Sequence, residues 1–193
     1  MRRSKSSSAS FTGDRVPRKS PVNCRLRPLE EPDLPIFDHV YSSRAGAGEY
    51  QWFGFSLPGR SLVEMGALNR QGGRLTAVTE DGRVIGSAFW FRREWGLPET
   101  SWCWELALHI HPADRSLGYG TQCLGQLVGY LFDHTLAWRL QALADVANVP
   151  SQRLLTRTGF TQEGVLRAPQ WREGQWHDHL IYSLLRSDLR PSG

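Results

Sequence analysis

The chain predicts a single α/β domain built on a mixed sheet. Three observations carry that reading. Apolar residues alternate with period two in some stretches and recur at helical spacing in others, in the order β-α-α-β-β-β-α-β-α-β-β. Glu80-Asp81-Gly82 joins two strand patterns through an Asp-Gly hairpin turn. From Trp104 to Thr121 a strand pattern ends at Pro112, and a glycine-containing turn then enters a helix. That arrangement gathers free backbone N–H groups at a helix N-terminus, where the dipole also favours negative charge.

Asn23 to Pro28 alternates as a first strand. Glu30-Glu31-Pro32-Asp33 opens a helix, with acidic residues and proline in the first turn and Leu34, Phe37, Val40 and Tyr41 at helical spacing. Gly46 and Gly48 end it. Ser61 and Glu64 form a capping box for a second helix, whose apolar stripe is Leu62, Met65 and Leu68. Strands follow over Arg74–Thr79, Arg83–Arg92 and Ser101–Ile110, then a helix over Thr121–Leu136 and a strand over Arg139–Val146. A helix starts at Asn148-Val-Pro-Ser151, with Ser151 as its cap or a first-turn residue, and Gly159 ends it. Phe160–Trp171 and Trp176–Leu185 complete the sheet.

With 193 residues, 40% of them hydrophobic and 22% charged, the chain suits one soluble globular domain with a substantial core. No run reaches the ~20 apolar residues that span a bilayer, so no membrane partner is expected. The N-terminus lacks the apolar segment of a signal peptide, and the expected location is cytoplasmic. Cys24, Cys103 and Cys123 are widely spaced, which argues against a disulfide framework or a metal site. Residues 1–21, rich in Ser, Arg and Lys, are expected to be a disordered basic tail ahead of a domain spanning 22–189. The tail carries the positive charge: the rest of the chain has 17 basic and 18 acidic residues, so a nucleic-acid partner is not expected for the domain.

Arg115-Ser116-Leu117-Gly118-Tyr119-Gly120 lacks the Gly-Lys-Ser/Thr of a Walker motif and the third glycine of a dinucleotide fingerprint. By itself it reads as a phosphate-binding or a structural turn. Glu105 lies among apolar residues on the strand leading to it, either as a proton acceptor or as an ion-pair partner. His109 and His111 share one strand face near the same turn, where a histidine could act as a base. His177 and His179 repeat that spacing and read as surface or packing residues; His134 suits a helix C-terminus. At least half of Trp52, Phe53, Phe55, Trp90, Trp95, Trp102, Trp104, Trp171 and Trp176 are expected in the core.

Arg115-x-x-Gly118-x-Gly120, followed by Asn148-x-x-Ser151, Thr158-Gly159-Phe160 and Glu163-Gly164-Val165-Leu166-Arg167, resembles the GNAT N-acetyltransferases and their RimJ/RimL-like branch over about residues 22–186. The resemblance implies a central mixed, mostly antiparallel sheet, splayed at the cofactor site and flanked by about four helices. It implies acetyl-CoA as cosubstrate without a metal, and transfer of its acetyl group to a primary amine, a protein N-terminus or a small molecule, by direct attack in a ternary complex. Leu108, His109 and Ile110 would meet the pantetheine arm, and a backbone N–H there would face the oxyanion. Arg115 to Gly120 with Thr121 would cradle the pyrophosphate, and Asn148 would contact the cofactor arm. Glu105 would take the amine proton, directly or through water. Many family members place a Tyr seven residues after the Asn to protonate the thiolate; Leu155 stands there, which moves that role to Ser151 or leaves Ser151 a helix residue. The alternative is a non-catalytic acyl-CoA-binding or sensing module; a homodimer is compatible with either.

Overall fold

The computed structural model describes residues 23–54 and 68–189. The chain enters through β1 (Cys24–Pro28), a 3₁₀ turn at Glu31–Asp33, α1 (Leu34–Tyr41) and the single turn α2 (Arg44–Ala47). Then follow β2 (Leu68–Asn69), β3 (Gly72–Thr79), β4 (Val84–Glu94), β5 (Trp102–Ile110) and α3 (Tyr119–His134). The last elements are β6 (Arg139–Asp145), α4 (Val149–Arg157), β7 (Thr161–Arg172) and β8 (Gln175–Leu185). The strands form one sheet in the order β1-β3-β4-β5-β6-β8-β7, with β2 paired beside β3. Every pairing is antiparallel except β5 with β6.

Period-two alternation gives the sheet two different faces. One face carries Trp90, Trp104, Leu106, Leu140, Ala142 and Leu184 and is covered by Leu124, Leu127, Leu131 and Phe132 of α3 and Leu155 of α4, all in one buried cluster. The opposite face packs Phe37 of α1 against Val78 and Val84. Its remainder, from Arg74 across Phe89 and Phe91 to Glu105, stays open to a cleft.

The exception to continuous pairing organises the molecule. β5 and β6 pair only through Trp104↔Leu140, Glu105↔Gln141 and Leu106↔Ala142. Beyond Leu106, β5 continues along β4 to Ile110, and β6 continues along β8 to Asp145. The two strands separate there, and the sheet is splayed as the sequence resemblance implies.

Some boundaries move. α3 starts at Tyr119, two residues before the expected Thr121, because Gly118 holds a left-handed φ of 97° and reverses the chain at the N-cap. The helix stops at His134, where the Arg186 guanidinium donates to the carbonyls of Phe132, Thr135 and Ala137; Leu136, the expected last residue, is 94% exposed. Leu68 lies in β2 and is exposed, not on an apolar helix stripe. The capping box Ser61 and Glu64, with Leu62, Met65 and Phe55, lies outside the described residues. Fewer aromatics enter the core than expected. Of the eight described candidates only Trp90 and Trp104 are buried, because Trp95 sits in a loop and Trp171 and Trp176 stack on each other at an exposed hairpin.

Between β1 and α1, the Asp33 carboxylate is buried and accepts from both Arg27 Nη atoms at 2.7 and 2.8 Å, from Glu30 N at 3.0 Å and from Thr76 Oγ1 at 2.9 Å. Burial alone would raise its pKa; the Arg27, Glu30 and Thr76 bonds outweigh that and hold it below the usual value of 3.8. A depressed folded pKa stabilises the fold above the unfolded value, and that stability disappears as pH falls through the folded one. Asp33→Ala removes the two-pronged partner of a mostly buried arginine, leaving it, among the described residues, only the exposed Glu30 carboxylate at 3.6 Å as an ion-pair partner, and is expected to cost about 3 kcal/mol in urea unfolding at pH 7. Asp33→Asn is expected to flatten the stability profile below pH 4.

Candidate active site

The gap between β5 and β6 opens into a cleft of about 620 Å³ that reaches both faces of the sheet. On the helix side it is lined by Leu106, Leu108, Leu124, Ala142, Ala144, Asn148, Ser151, Leu154 and Leu155. On the other side its wall is made of Tyr41, Arg74, Phe89, Phe91, Arg93, Glu105, Leu143, Asp145 and His179. The loop after α2 supplies Tyr50, Gln51, Trp52 and Phe53.

Backbone polarity in the gap is biased. A strand residue projects its N–H and C=O toward the same edge. Leu108 and Ile110 turn theirs away from β4 into the gap, while His109 faces Ser87. The Leu108 carbonyl accepts from Gln51 Nε2 at 3.1 Å and the Ile110 carbonyl from Arg115 Nε at 2.9 Å. The acceptors are thereby occupied by side chains, and the two N–H donors face the space between the strands, where they suit a ligand rich in carbonyl oxygens.

Predicted residues separate into groups. Leu108, Asn148, Ser151 and Glu105 meet in the cleft, together with Leu155. Residues 115–121 form the turn beside it rather than its lining: Ser116 and Gly118 both have positive φ, of 61° and 97°, and Tyr119 is buried. A Cβ placed on Gly120 would lie 3.5 Å from Leu154 and 3.7 Å from Leu108, so this helix start touches both sides of the gap. Arg115 is exposed, yet its guanidinium turns back to Ile110 O and lies against Gly48. Any anion at this turn would meet backbone donors: the Thr121 and Gln122 N–H groups turn back to Gly118 O, and those of Tyr119 and Gly120 have no intrahelical acceptor.

Asn148 is the N-cap of α4, its Oδ1 accepting from Ser151 N at 3.2 Å. Ser151 is therefore a first-turn residue and not the cap, and its hydroxyl has no hydrogen-bond partner among the described residues. Glu105, on the opposite face, is only 6% exposed. Its Oε2 accepts from Arg93 Nε at 2.9 Å and Gln141 Nε2 at 2.8 Å, and its Oε1 from Arg93 Nη2 at 3.3 Å. The Arg93 side chain is half exposed and stacks over Phe91.

Several contributors are not legible in the sequence. Tyr50 Oη donates to Ala147 O at 3.1 Å, so the loop after α2 ties to the loop entering α4. Asp145 ends β6 and bonds the fully buried Arg172 at 2.7 Å, 27 residues away in sequence. Burial pushes the Asp145 carboxyl up, but Arg172, the Ala147 N–H and His177 outweigh it and hold it below the ordinary range. His179 pairs across from Asp145 and lines the cleft, and neither of its buried ring nitrogens has a hydrogen-bond partner among the described residues. Only the alternation of β6 and β8 hinted that these residues share a face with Glu105.

His109 is not available as a base. It is 2% exposed, and its Nε2–H donates to the Ala47 carbonyl at 3.0 Å. Burial first, then the charges of His111 and Arg115, push its pKa from 6.5 down to about 4. The unfolded imidazole binds a proton near 6.5, whereas the folded one resists until about 4. Stability is thus expected to fall as pH drops across that window, by about 1.4 kcal/mol per unit from this group. Urea unfolding from pH 7 to 4 measures the slope, and His109→Gln is expected to reduce it.

Comparison with known proteins places this geometry. The acetyltransferase (GNAT) domain family matches residues 23–161. "Probable N-acetyltransferase YjcK" of Bacillus subtilis is 28% identical over 111 residues, 58% of this chain and 60% of that relative, so the chain spans less than two thirds of its length. Spermidine N-acetyltransferase of Vibrio cholerae, solved with CoA and spermine, superposes with a TM-score of 0.70 at 19% identity, over 86% of this chain and 96% of that one. RimJ of Mycobacterium smegmatis, solved with CoA-disulfide, gives a TM-score of 0.71 at 18% identity, over 88% and 85%. At such identities these structures speak for the fold.

Proposed function

The chain belongs to the acetyltransferase (GNAT) family, and from that premise we propose that it moves an acetyl group from acetyl-CoA to a primary amine, within or beside the RimJ/RimL-like branch. The observation that carries the reading is one cleft lined by Glu105 on one side of the splayed sheet and by Asn148 and Ser151 on the other. An amine and a thioester entering from opposite faces would meet in the gap.

The apolar wall of Leu106, Leu108, Ala142, Ala144, Leu154 and Leu155 fits the pantetheine arm, and the N–H groups of Leu108 and Ile110 supply donors for its carbonyl oxygens. The start of α3 offers backbone donors to the pyrophosphate. The amine nitrogen attacks the thioester carbonyl carbon; the N–C bond forms and the C–S bond breaks. Glu105 accepts the amine proton, directly or through water. The Ile110 N–H faces the developing oxyanion, a donor fixed before the reaction begins. The Ser151 hydroxyl, free of other bonds among the described residues, delivers a proton to the departing sulfur. Among the described residues Glu105 Oε1 has a single 3.3 Å bond, from Arg93 Nη2, so it keeps capacity to accept a proton while Arg93 Nε and Gln141 stay on Oε2.

The acceptor is a protein N-terminus or a small-molecule amine. The same reading puts the enzyme in the cytoplasm, in keeping with three free cysteines, and allows a homodimer that covers the exposed Val165, Trp171 and Trp176 of the β7–β8 hairpin.

Glu105→Gln is expected to lower turnover at neutral pH by about 100-fold or more, with acetyl-CoA affinity changed less than about threefold, because the carboxylate lies across the sheet from the apolar wall. Thiol release over a panel of amines and calorimetric titration with acetyl-CoA measure the two quantities. Equal turnover would remove Glu105 from proton transfer. Saturable acetyl-CoA binding with no thiol release for any amine would instead favour a sensing module.

A further inference from the structure

The amine side of the cleft has a charge pattern that selects among acceptors. Two carboxylates line it, and each already has its own guanidinium: Glu105 with Arg93 at 2.9 Å and Asp145 with Arg172 at 2.7 Å. Arg74 is the additional cation. It lines the same wall, stacks 4.7 Å over the Phe89 ring and donates through Nη1 to Ser87 Oγ at 3.3 Å. Among the described residues no carboxylate pairs with it. Its Nε–Nη2 edge has no bond there either.

The geometry holds that edge in place. Arg74 pairs across from Phe89, and Phe89 across from Ala107, on the face that carries Glu105 two residues earlier. Strand spacing sets the Arg74 and Glu105 Cα atoms roughly 12 Å apart on one surface, and both side chains extend into the cleft between them. The aromatic stack and the Ser87 bond restrict the guanidinium, so less freedom is lost when its fork meets a planar anion. A polycation would meet two lining arginines, and two carboxylates already paired with Arg93 and with the buried Arg172, and would gain nothing from Arg74.

We propose that Arg74, stacked on Phe89, is the carboxylate-binding subsite of the acceptor pocket, and that the acceptor is an amino-acid-like small molecule: a primary amine that also bears a carboxylate. This deepens the acetyl-transfer reading and rests on it. In the bound acceptor the carboxylate lies on the Nε–Nη2 edge of Arg74, and the amine is directed toward Glu105 and the gap.

The test reads binding without turnover. The CoA-loaded protein is titrated calorimetrically with β-alanine, γ-aminobutyrate and diglycine, each beside its carboxamide, and with spermidine. At least one acid is expected to bind tenfold or more tightly than its amide, with spermidine weaker than that acid. Arg74→Gln is expected to abolish the acid-over-amide preference and Arg74→Lys to retain part of it, with thermal midpoints near that of the parent chain. Equal affinity for acids and amides, absence of binding by every acid, tightest binding by spermidine, or equal weakening of acids and amides in Arg74→Gln would each overturn the proposal. Thiol release on the same panel keeps the two readings apart. An acid preference that depends on Arg74 without acetyl transfer would retain the subsite and reject the reaction, whereas transfer to amines without that preference would do the reverse.

Discussion

Strand β5 leaves β6 after Leu106, and the rest of the structure answers the problem this creates. A backbone edge opened inside a sheet must find partners or stay hydrated. Here the two carbonyls that face the gap are satisfied by Gln51 and Arg115, one from the loop after α2 and one from the turn before α3. Those side chains hold the flanking segments against the gap. The same bonds leave N–H donors facing the interior, so the splay is polar in one sense only. The helices that follow β5 and β6 both begin at this opening, with Gly120 of α3 packed near Leu108 and Leu154.

Two arginine–carboxylate pairs on the open face differ in kind. Asp145 and Arg172 are each 3% exposed at the side chain, and removing either partner would strand a buried charge. That pair fixes the end of β6 and the β7–β8 hairpin. Glu105 is nearly as deeply buried, yet its arginine is half exposed, so only the carboxylate side of this pair depends on its partner, with Gln141 as a second donor. The sheet thus carries one ion pair buried on both sides and one whose arginine reaches solvent, and the carboxylates of both line the cleft.

The glycine turn has a smaller role than its prominence suggests. Its positive φ values at Ser116 and Gly118 aim backbone donors at the head of α3, while Arg115 serves the protein's own β5. What the proposed pyrophosphate cradle would use of this motif is its backbone, with the left-handed Gly118 setting the chain reversal at the N-cap of α3.

Local physics made most elements readable. Alternation located the strands, the Asp-Gly turn the hairpin, and the apolar stripe Cys123, Leu124, Leu127, Val128, Leu131 and Phe132 the buried face of α3. These signals depend only on neighbours in sequence. Helix ends shifted because Gly118 and the distant Arg186 set them, the first by backbone conformation and the second from across the molecule. Glu105, Leu108, Asn148 and Ser151 could be named through the family resemblance, and they do share a cleft. Arg74, Arg93, Gln141, Asp145 and Arg172 could not, since each acquires its meaning from a partner on another strand. The sequence alone carried the family likeness, most of the strand and helix pattern and the backbone turn. The tertiary structure decided which charges are neutralised and which guanidinium is left over, because strand register, and not proximity along the chain, decides which side chains meet.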